Sequence, residues 1–401
     1  MKLVVDLHSH SPYAGASGKS DFKRLSDVMG IKGIDIYGSG DILLEKWENE
    51  LNGAFDFDSR RSLWILKAGQ YLMPQAEIIV TLPYRYDESK RKLFHLVLLF
   101  ADMESVRKAR TLMLEQGSKL GIGRPFVKFD SSAEMEEFFR KMKKECRVAL
   151  IPAHVVTPDG ILGGKNPVDS IDEIWGGSTE LIDGMESGLS ADPGMLAAVA
   201  GSLGVSVLSS SDAHSAAYNR LGREFTLLDA DELSAAGIMD SIFSCRVLRT
   251  AEFPPFEGRY YLTGHRGDRP GHNGEEIFFT ENPPEVCPIC GKPFVEGVCE
   301  RIKRISPPQQ GGVQDFVYQI PLIEVVAESM GCGAGSRKAA DIYLEITRQA
   351  GNESRIWLED GPVSFSNIPS CVLDGIKAVK ENRFRIRYGF DGQYGKIELD
   401  T

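Results

Sequence analysis

The sequence has no apolar run approaching the roughly 18 residues that a membrane span needs, so no membrane role is expected. Cysteine is sparse: 7 in 401 residues, with Cys146, Cys245, Cys332 and Cys371 standing alone. So odd and scattered a set argues against a disulfide framework and for a reducing compartment. No signal-peptide pattern precedes the apolar start Leu3-Val4-Val5, so the cytoplasm is the expected location. Positive charge is also short. Lys and Arg number 46 against 57 Asp and Glu, a net charge of −11. This argues against a general nucleic-acid coat, which needs positive charge against phosphate. It leaves room for an enzyme, because bound cations neutralise carboxylates in a metal site.

What is present is the composition of a folded soluble protein, 42% hydrophobic and 26% charged, at a length that suits two or three domains. Short runs rich in Val, Ile and Leu read as strands at 3–7, 33–37, 63–67, 77–82, 93–100, 148–151, 181–185 and 205–209. Helical patterns fall between several of them, at 21–29, 104–120, 133–144, 193–203 and 231–243. This alternation implies an α/β domain with a mainly parallel sheet, either a barrel or a doubly wound sheet. Near residue 250 the pattern gives way to Pro and Gly punctuation. Three regions are therefore expected: 1–250, 251–306 and 307–401. The last begins with a linker, Pro307-Pro308-Gln309-Gln310-Gly311-Gly312, and carries helices at 322–329 and 337–349.

Histidine is scarce, 7 in all, and its placement is informative. His8 and His10 follow the first strand as His-x-His. Asp41 follows the second, and Glu77 opens another. His95 lies at or near the start of the 93–100 run, and His154 closes Leu150-Ile151-Pro152-Ala153-His154. Asp212 and His214 form Asp-x-His after the strand at 205–209. In (β/α) barrels the carboxyl ends of the strands converge on one face, where sites are built. Imidazoles and carboxylates gathered there make a cage for divalent cations, with more ligands than one ion needs. Two to three ions are expected. The implied chemistry is hydrolysis of a phosphate ester. Glu186, in Gly184-Met185-Glu186-Ser187, is the unassigned carboxylate best placed to protonate a leaving oxygen, and Asp212 is expected to be critical to catalysis.

Farther on, Cys287-x-x-Cys290-Gly291 fits a structural zinc knuckle. Its remaining ligands must come from His265, His272, Cys299 or elsewhere, with His272 and Cys299 preferred. Two basic features stand out on an acidic chain. Arg337 and Lys338 follow the glycine-rich Gly331-Cys332-Gly333-Ala334-Gly335, and Arg383, Arg385 and Arg387 cluster with Lys377 and Lys380. Both are candidate phosphate contacts. A capped helix and a solvated helix face are the plainer readings.

As a set, these barrel motifs resemble the PHP family, distorted barrels that hydrolyse phosphate esters with a trinuclear metal site. The chain departs from it at Asp41-Ile42, where the family often has Asp-His. A narrower resemblance, to endonuclease Q, covers nearly the whole chain. It rests on Gly38-Ser39-Gly40-Asp41, Pro152-Ala153-His154, Cys287-Pro288-Ile289-Cys290-Gly291-Lys292-Pro293, Pro321-Leu322-Ile323-Glu324 and Gly389-Phe390-Asp391-Gly392-Gln393-Tyr394-Gly395-Lys396. That resemblance implies a PHP barrel followed by a zinc-binding module and a C-terminal helical region. The implied activity is a metal-dependent endonuclease nicking damaged DNA 5′ to deaminated bases or abasic sites, in DNA repair. Its ions would be zinc, with magnesium or manganese possible in the barrel, and one structural zinc in the module. The glycine-rich turn at 331–338 resembles a helix-hairpin-helix DNA-backbone binder. The family has a His where this chain has Glu300, so the zinc ligands do not transfer directly. The competing readings are a small-molecule phosphatase and a DNA-binding scaffold with a degenerate metal site.

Overall fold

The computed structural model describes residues 1–15, 21–305, 312–361 and 364–399; most of the expected linker, 307–311, lies outside the described residues. Alternate residues of successive strands explain the architecture. Leu3 and Val5 of the strand Lys2–Asp6 pack together with Ile36, Met73, Val97, Leu99, Ala149, Ile151, Leu208 and Leu228, each from a different strand or at period two along one. That cluster is the interior of a barrel. The helix Ala235–Phe243 packs into it with Ala235, Ile238, Met239 and Ile242. An outer apolar layer includes Val28, Met29, Leu112, Phe138, Phe139 and Leu196 of the surrounding helices. The expected α/β class and distorted barrel are what the chain forms, but the sheet is mixed rather than mainly parallel. Lys2–Asp6 runs parallel to Ile36–Gly38 and antiparallel to Phe225–Asp229. Gln75–Tyr84 and Asp87–Phe100 form one long antiparallel hairpin. Only two residues separate these strands, and a connection that short cannot make a parallel crossover.

Helix ends follow local chemistry. Asp192 caps Pro193–Leu203 by accepting from Met195 N; Pro lies in the first turn, and Gly204 ends the helix in the left-handed region.

Beyond the barrel, Thr263–His265 and Ile277–Phe279 pair as a small hairpin. The strand Val247–Glu252 spans the expected division at residue 250 and pairs in parallel with Phe316–Tyr318, which thereby joins the barrel sheet. The helices Leu322–Ser329, Arg337–Ala350, Glu353–Leu358 and Ser370–Lys380 share a third core around Leu322, Val326, Tyr343, Ile346 and Ile376. Among the described residues no helix is long and apolar enough to cross a membrane.

Candidate metal centre and the adjoining cavity

The strand Lys2–Asp6 ends just before His8, so His8 and His10 lie on the loop beyond it. That loop is tied down by polar contacts. Gln75 Oε1 accepts from Ser9 N at 3.3 Å and from Gly40 N at 3.0 Å. The approach requires glycine at 38, where a Cβ would fall 2.8 Å from both Gln75 Oε1 and Leu7 O. Opposite, the fully buried Asp6 accepts from Ser211 N at 2.9 Å and from Gly222 N at 3.0 Å, which sets the loop carrying Asp212. Burial pushes the Asp6 carboxyl up to about 7, against these hydrogen bonds. Asp41, His154 and Asp212 all take positive φ, of 42°, 32° and 46°. Such backbone persists where surrounding structure enforces it, and it gathers at functional sites.

The geometry brings the expected ligands together around Glu77, which is fully buried. Its Oε1 lies 2.8 Å from His95 Nδ1 and 3.5 Å from both His8 Nε2 and His154 Nε2. Its Oε2 lies 3.3 Å from His10 Nε2 and 3.2 Å from Arg124 Nη1. Asp212 Oδ1 stands 3.1 Å from His10 Nε2 and 3.7 Å from His8 Nε2. These ligand atoms form three overlapping groups: His8, His10 and Glu77; His10, Asp212 and His214; and Glu77, His95 and His154. Glu77 is the third residue of the strand Gln75–Tyr84, close to the expected strand start, whereas His95 lies well inside the strand Asp87–Phe100.

Whether a cation fits can be judged from what these atoms lack. His8 Nε2, His10 Nε2, Glu77 Oε1 and Asp212 Oδ1 are all buried without a hydrogen-bond partner. Buried polar atoms are otherwise nearly always satisfied, and the four face one another. Divalent cations held in these groups would satisfy them. Burial alone would raise the Glu77 carboxyl, but the imidazoles of His8, His10 and His154 outweigh it and hold it well below the usual carboxylate range. Asp212 is lowered for the same reason, by His8 and His10 against burial. Both carboxylates are thus held in the ionised form that a metal requires.

The outer nitrogens are held as well. His8 Nδ1 meets Glu186 Oε2 at 2.8 Å, and His154 Nδ1 meets Thr157 Oγ1 at 2.7 Å. His10 Nδ1 lies 3.3 Å from Asp41 Oδ1. Asp41 Oδ2 accepts from Ser11 N at 2.7 Å, and Asp41 belongs to none of the three ligand groups. Asp41 and Glu186 thus contact the ring nitrogens of His10 and His8 that point away from Glu77. Arg124 and Gln75 went unmarked in the sequence reading, because each acts through a partner distant in the chain, whereas Thr157 holds His154 from three residues away.

The zinc-type group is His265, His272, Cys287 and Cys290. Cys290 Sγ is 3.5 Å from His265 Nδ1, and Cys287 Sγ is 3.5 Å from His272 Nε2. The other ring nitrogens contact backbone carbonyls, His265 Nε2 with Pro293 O at 3.0 Å and His272 Nδ1 with Glu275 O at 2.9 Å. Each ligand nitrogen is thereby selected. Cys299 is not part of this group. It lies in the first turn of the helix Val298–Ile305, and its thiol meets the Tyr261 hydroxyl. The pairing of Thr263–His265 with Ile277–Phe279 brings His265 across, which spacing along the chain does not reveal.

Of the expected phosphate contacts, Arg337 is 94% exposed, with Asp341 Oδ2 at 3.7 Å. It opens a helix with Lys338 behind Ser336, whose hydroxyl accepts from Ala339 N. Arg383 pairs with Glu381 at 2.7 Å, and Arg387 lies 3.8 Å from Glu276. Arg385 stands between them on the strand Phe384–Arg387.

Beside the barrel ligands opens a cavity of about 570 Å³. Asp212, His95, His154 and Glu186 form part of its wall, with Arg124, Arg220, Arg223 and Arg259 around it and Tyr260 and Tyr394 beside Arg259.

Fold and site together define a class: a mixed α/β barrel with a multi-ligand metal centre, joined to a separate His and Cys metal group and a helical region. The particular architecture is similar to that of endonuclease Q structures. The whole chain superposes on the lesion-specific endonuclease PfuEndoQ from Pyrococcus furiosus, with a TM-score of 0.84 at 25% identity over 96% of that chain. It superposes equally completely on endonuclease Q in complex with a 27-mer duplex bearing an abasic lesion, with a TM-score of 0.82 at 26% identity over 97% of that chain. No family model matches. In sequence, the uncharacterized protein YqxK of Bacillus subtilis is 28% identical, with 99% of both chains covered. An uncharacterized protein of Methanocaldococcus jannaschii is 27% identical over 243 residues, 57% of this chain; the match spans only 30% of that longer relative.

Proposed function

We propose that this protein is a metal-dependent endonuclease that nicks DNA 5′ to a deaminated base or an abasic site, acting in the cytoplasm in DNA repair. The observation that carries the reading is the meeting of unsatisfied ligand atoms on Glu77, Asp212, His8 and His10 beside an arginine-lined cavity. Its setting supports a polymer substrate: the fold matches endonuclease Q from end to end, including the form solved with lesion-bearing duplex.

On this reading residues 1–250 carry the hydrolytic centre, 251–306 the zinc module and 307–401 the DNA-binding helices. Three divalent ions suit the three overlapping groups, with zinc, magnesium or manganese as the ions, and a further structural zinc suits the His265, His272, Cys287 and Cys290 group. When bound, the barrel ions supply a water-derived nucleophile near neutral pH and offset charge on the phosphate. The chain does the rest. Glu77 is shared between two ligand groups, and His10 likewise. Glu186 and Asp41 hold His8 and His10 in their rotamers and tautomers. Arg220 and Arg223 face the same cavity as Asp212 and give an anionic backbone a place to sit against an otherwise acidic protein. Arg337, Lys338, Arg383, Arg385 and Arg387 would follow the duplex farther out.

The test is a nicking assay on end-labelled duplexes carrying uracil, hypoxanthine, an abasic site or normal bases, with magnesium or manganese added. The expected pattern is a nick immediately 5′ to the lesion, absent from the normal duplex. Asp212→Asn keeps the volume but removes a ligand charge, so cleavage should fall by orders of magnitude while lesion binding survives. Release of phosphate from small esters, with every lesion duplex left intact, would replace this reading with a phosphatase.

A further inference from the structure

The loop that follows His154 is wound tightly upon itself. Thr157 N donates to His154 O at 3.0 Å, Gly160 N to Thr157 O at 2.8 Å, and Leu162 N back to Val155 O at 2.8 Å. A Cβ at Gly160 would fall 2.4 Å from His154 O, and one at Gly163 only 1.7 Å from Thr157 O. This winding serves the ligand group Glu77, His95 and His154. It brings Thr157 Oγ1 to 2.7 Å from His154 Nδ1, and it lets His95 N donate to Asp159 O at 3.3 Å. A shift of the loop would therefore disturb both imidazoles of that group.

What closes the loop comes from farther along the chain. Arg301, on the helix Val298–Ile305, is only 1% exposed. Its Nε donates to Leu162 O at 2.7 Å, its Nη2 to Val168 O, and its Nη1 to Asp169 Oδ1 at 2.9 Å. A buried cation persists only where hydrogen bonds replace its water, and all three of these acceptors belong to the one loop. The helix is fastened in turn to the strand that carries His265. Val298 N donates to Tyr260 O at 2.7 Å, Cys299 N to Tyr261 O at 3.0 Å, and Gly297 N to Thr263 Oγ1 at 2.9 Å. A Cβ at Gly297 would come 2.2 Å from Leu262 C, so the two segments touch backbone to backbone. A continuous run of contacts thus leads from His265 through Arg301 to Thr157 and His154.

We propose that Arg301 is a positioning residue for the barrel ions. It couples the His265, His272, Cys287 and Cys290 group to the Glu77, His95 and His154 group, so that the second holds its ion at full strength only when the first is filled. The physical link is the folding free energy that a structural metal supplies. Without it the strand Thr263–His265 loosens, the helix loses its anchor, and Arg301 no longer closes the loop behind His154. By linkage the coupling runs both ways. This rests on the barrel being a metal centre, as the proposed function requires, but not on which ester is cut.

The experiment loads the full chain with zinc and dialyses it against a graded series of a zinc chelator. Zinc per chain is counted, and the ring signals of the histidines, only 7 in the chain, are followed by NMR. In Arg301→Met one ion should leave at about 10- to 100-fold lower chelator than in the wild type, as for other changes behind a ligating histidine. The His95 and His154 signals should move, and those of His265 and His272 should stay. Cys287→Ser, which empties the module, should cause the same early loss. Adding Arg301→Met to it should cause little more, because both act on one path. Additive losses in the double variant would overturn the coupling. So would a lower Tm in Arg301→Met with barrel ions and ring signals unchanged, which would make Arg301 a packing residue. If Arg301→Met does not fold, Arg301→Lys is measured in the same way. It keeps the cation but not the fork that reaches Leu162 O and Val168 O together, so it should show the same loss to a smaller degree. If the wild-type barrel holds no ion, the metal reading fails and the coupling with it. If it holds ions yet cuts no lesion duplex, only the endonuclease reading fails, and the coupling is decided by the ion counts.

Discussion

Lys32 and Glu353, 321 positions apart, meet with Nζ 2.8 Å from Oε1, and both side chains are only 1% exposed. The carboxylate is fully used: Oε1 also accepts from Leu322 N at 2.9 Å, and Oε2 accepts from the Tyr343 hydroxyl at 2.7 Å. The pair locks the barrel helix Phe22–Lys32 to the C-terminal helices. Removing one partner leaves an uncompensated buried charge, at a cost of about 3–5 kcal/mol, whereas an apolar pair of similar volume can be nearly neutral. Glu353→Ala should therefore shift the denaturation midpoint far more than the double replacement Lys32→Met, Glu353→Leu. Chemical denaturation of the single and double variants checks this. Additive losses would show that the pair is not coupled.

The second prediction separates two candidate zinc ligands. His265→Ala should lower zinc content by one ion per chain and loosen the Thr263–His265 hairpin, because structural zinc supplies folding free energy. Cys299→Ser should retain that zinc, since its thiol faces Tyr261. Elemental analysis of the two variants decides. Full zinc in His265→Ala, or loss in Cys299→Ser, would reverse the assignment.

The difference between these two residues also shows what the sequence could convey. Local signals were legible: Asp192, Pro193 and Gly204 mark a helix whose bounds came out as expected, and the rarity of histidine made the barrel ligands visible. Long-range pairing was not. Nothing local announces that Phe316–Tyr318 joins the barrel sheet, that the 75–100 segment folds back on itself, or that a small hairpin delivers His265. Aromatic roles were equally hidden. Trp47 and Trp175 lie in the core, at 5% and 0% exposure, while Tyr394 lies bare on a loop whose position depends on a carboxylate contact 122 residues away in sequence.

Lys92 gives a prediction in pH. It is buried in the strand Asp87–Phe100, and its Nζ donates to the Gly163 and Lys165 carbonyls, at 3.5 and 3.3 Å. Burial lowers its pKa to about 7, with Arg301 adding to the effect. Between pH 7 and the ordinary lysine range near 10 the unfolded chain holds a proton that the folded chain lacks, so stability should rise with pH. The slope from this one group is about 1.4 kcal/mol per pH unit at most. Lys92→Met removes the group. Its unfolding free energy, measured from pH 7.5 to 9.5, should gain less with pH than that of the wild type. Parallel pH profiles would mean that Lys92 stays charged in the fold.

Glu186 offers the sharpest division between positioning and proton transfer. Its carboxylate lies 2.8 Å from His8 Nδ1, while His8 Nε2 faces Glu77 and Asp212. Glu186→Gln keeps an oxygen that can accept from His8 but removes the charge that makes the imidazole a better ligand. Changes behind a ligating histidine cost about 10- to 100-fold in metal affinity. Chelator competition should therefore show weaker binding in the barrel, while a metal held by Cys287 and Cys290, which Glu186 does not touch, should stay bound. Nicking should drop at limiting metal and recover as magnesium or manganese is raised, with the pH profile unchanged. A residue that protonates the leaving oxygen behaves otherwise: saturating metal would restore nothing, and the alkaline limb of the profile would be lost. That outcome would move Glu186 from behind His8 into the reaction itself.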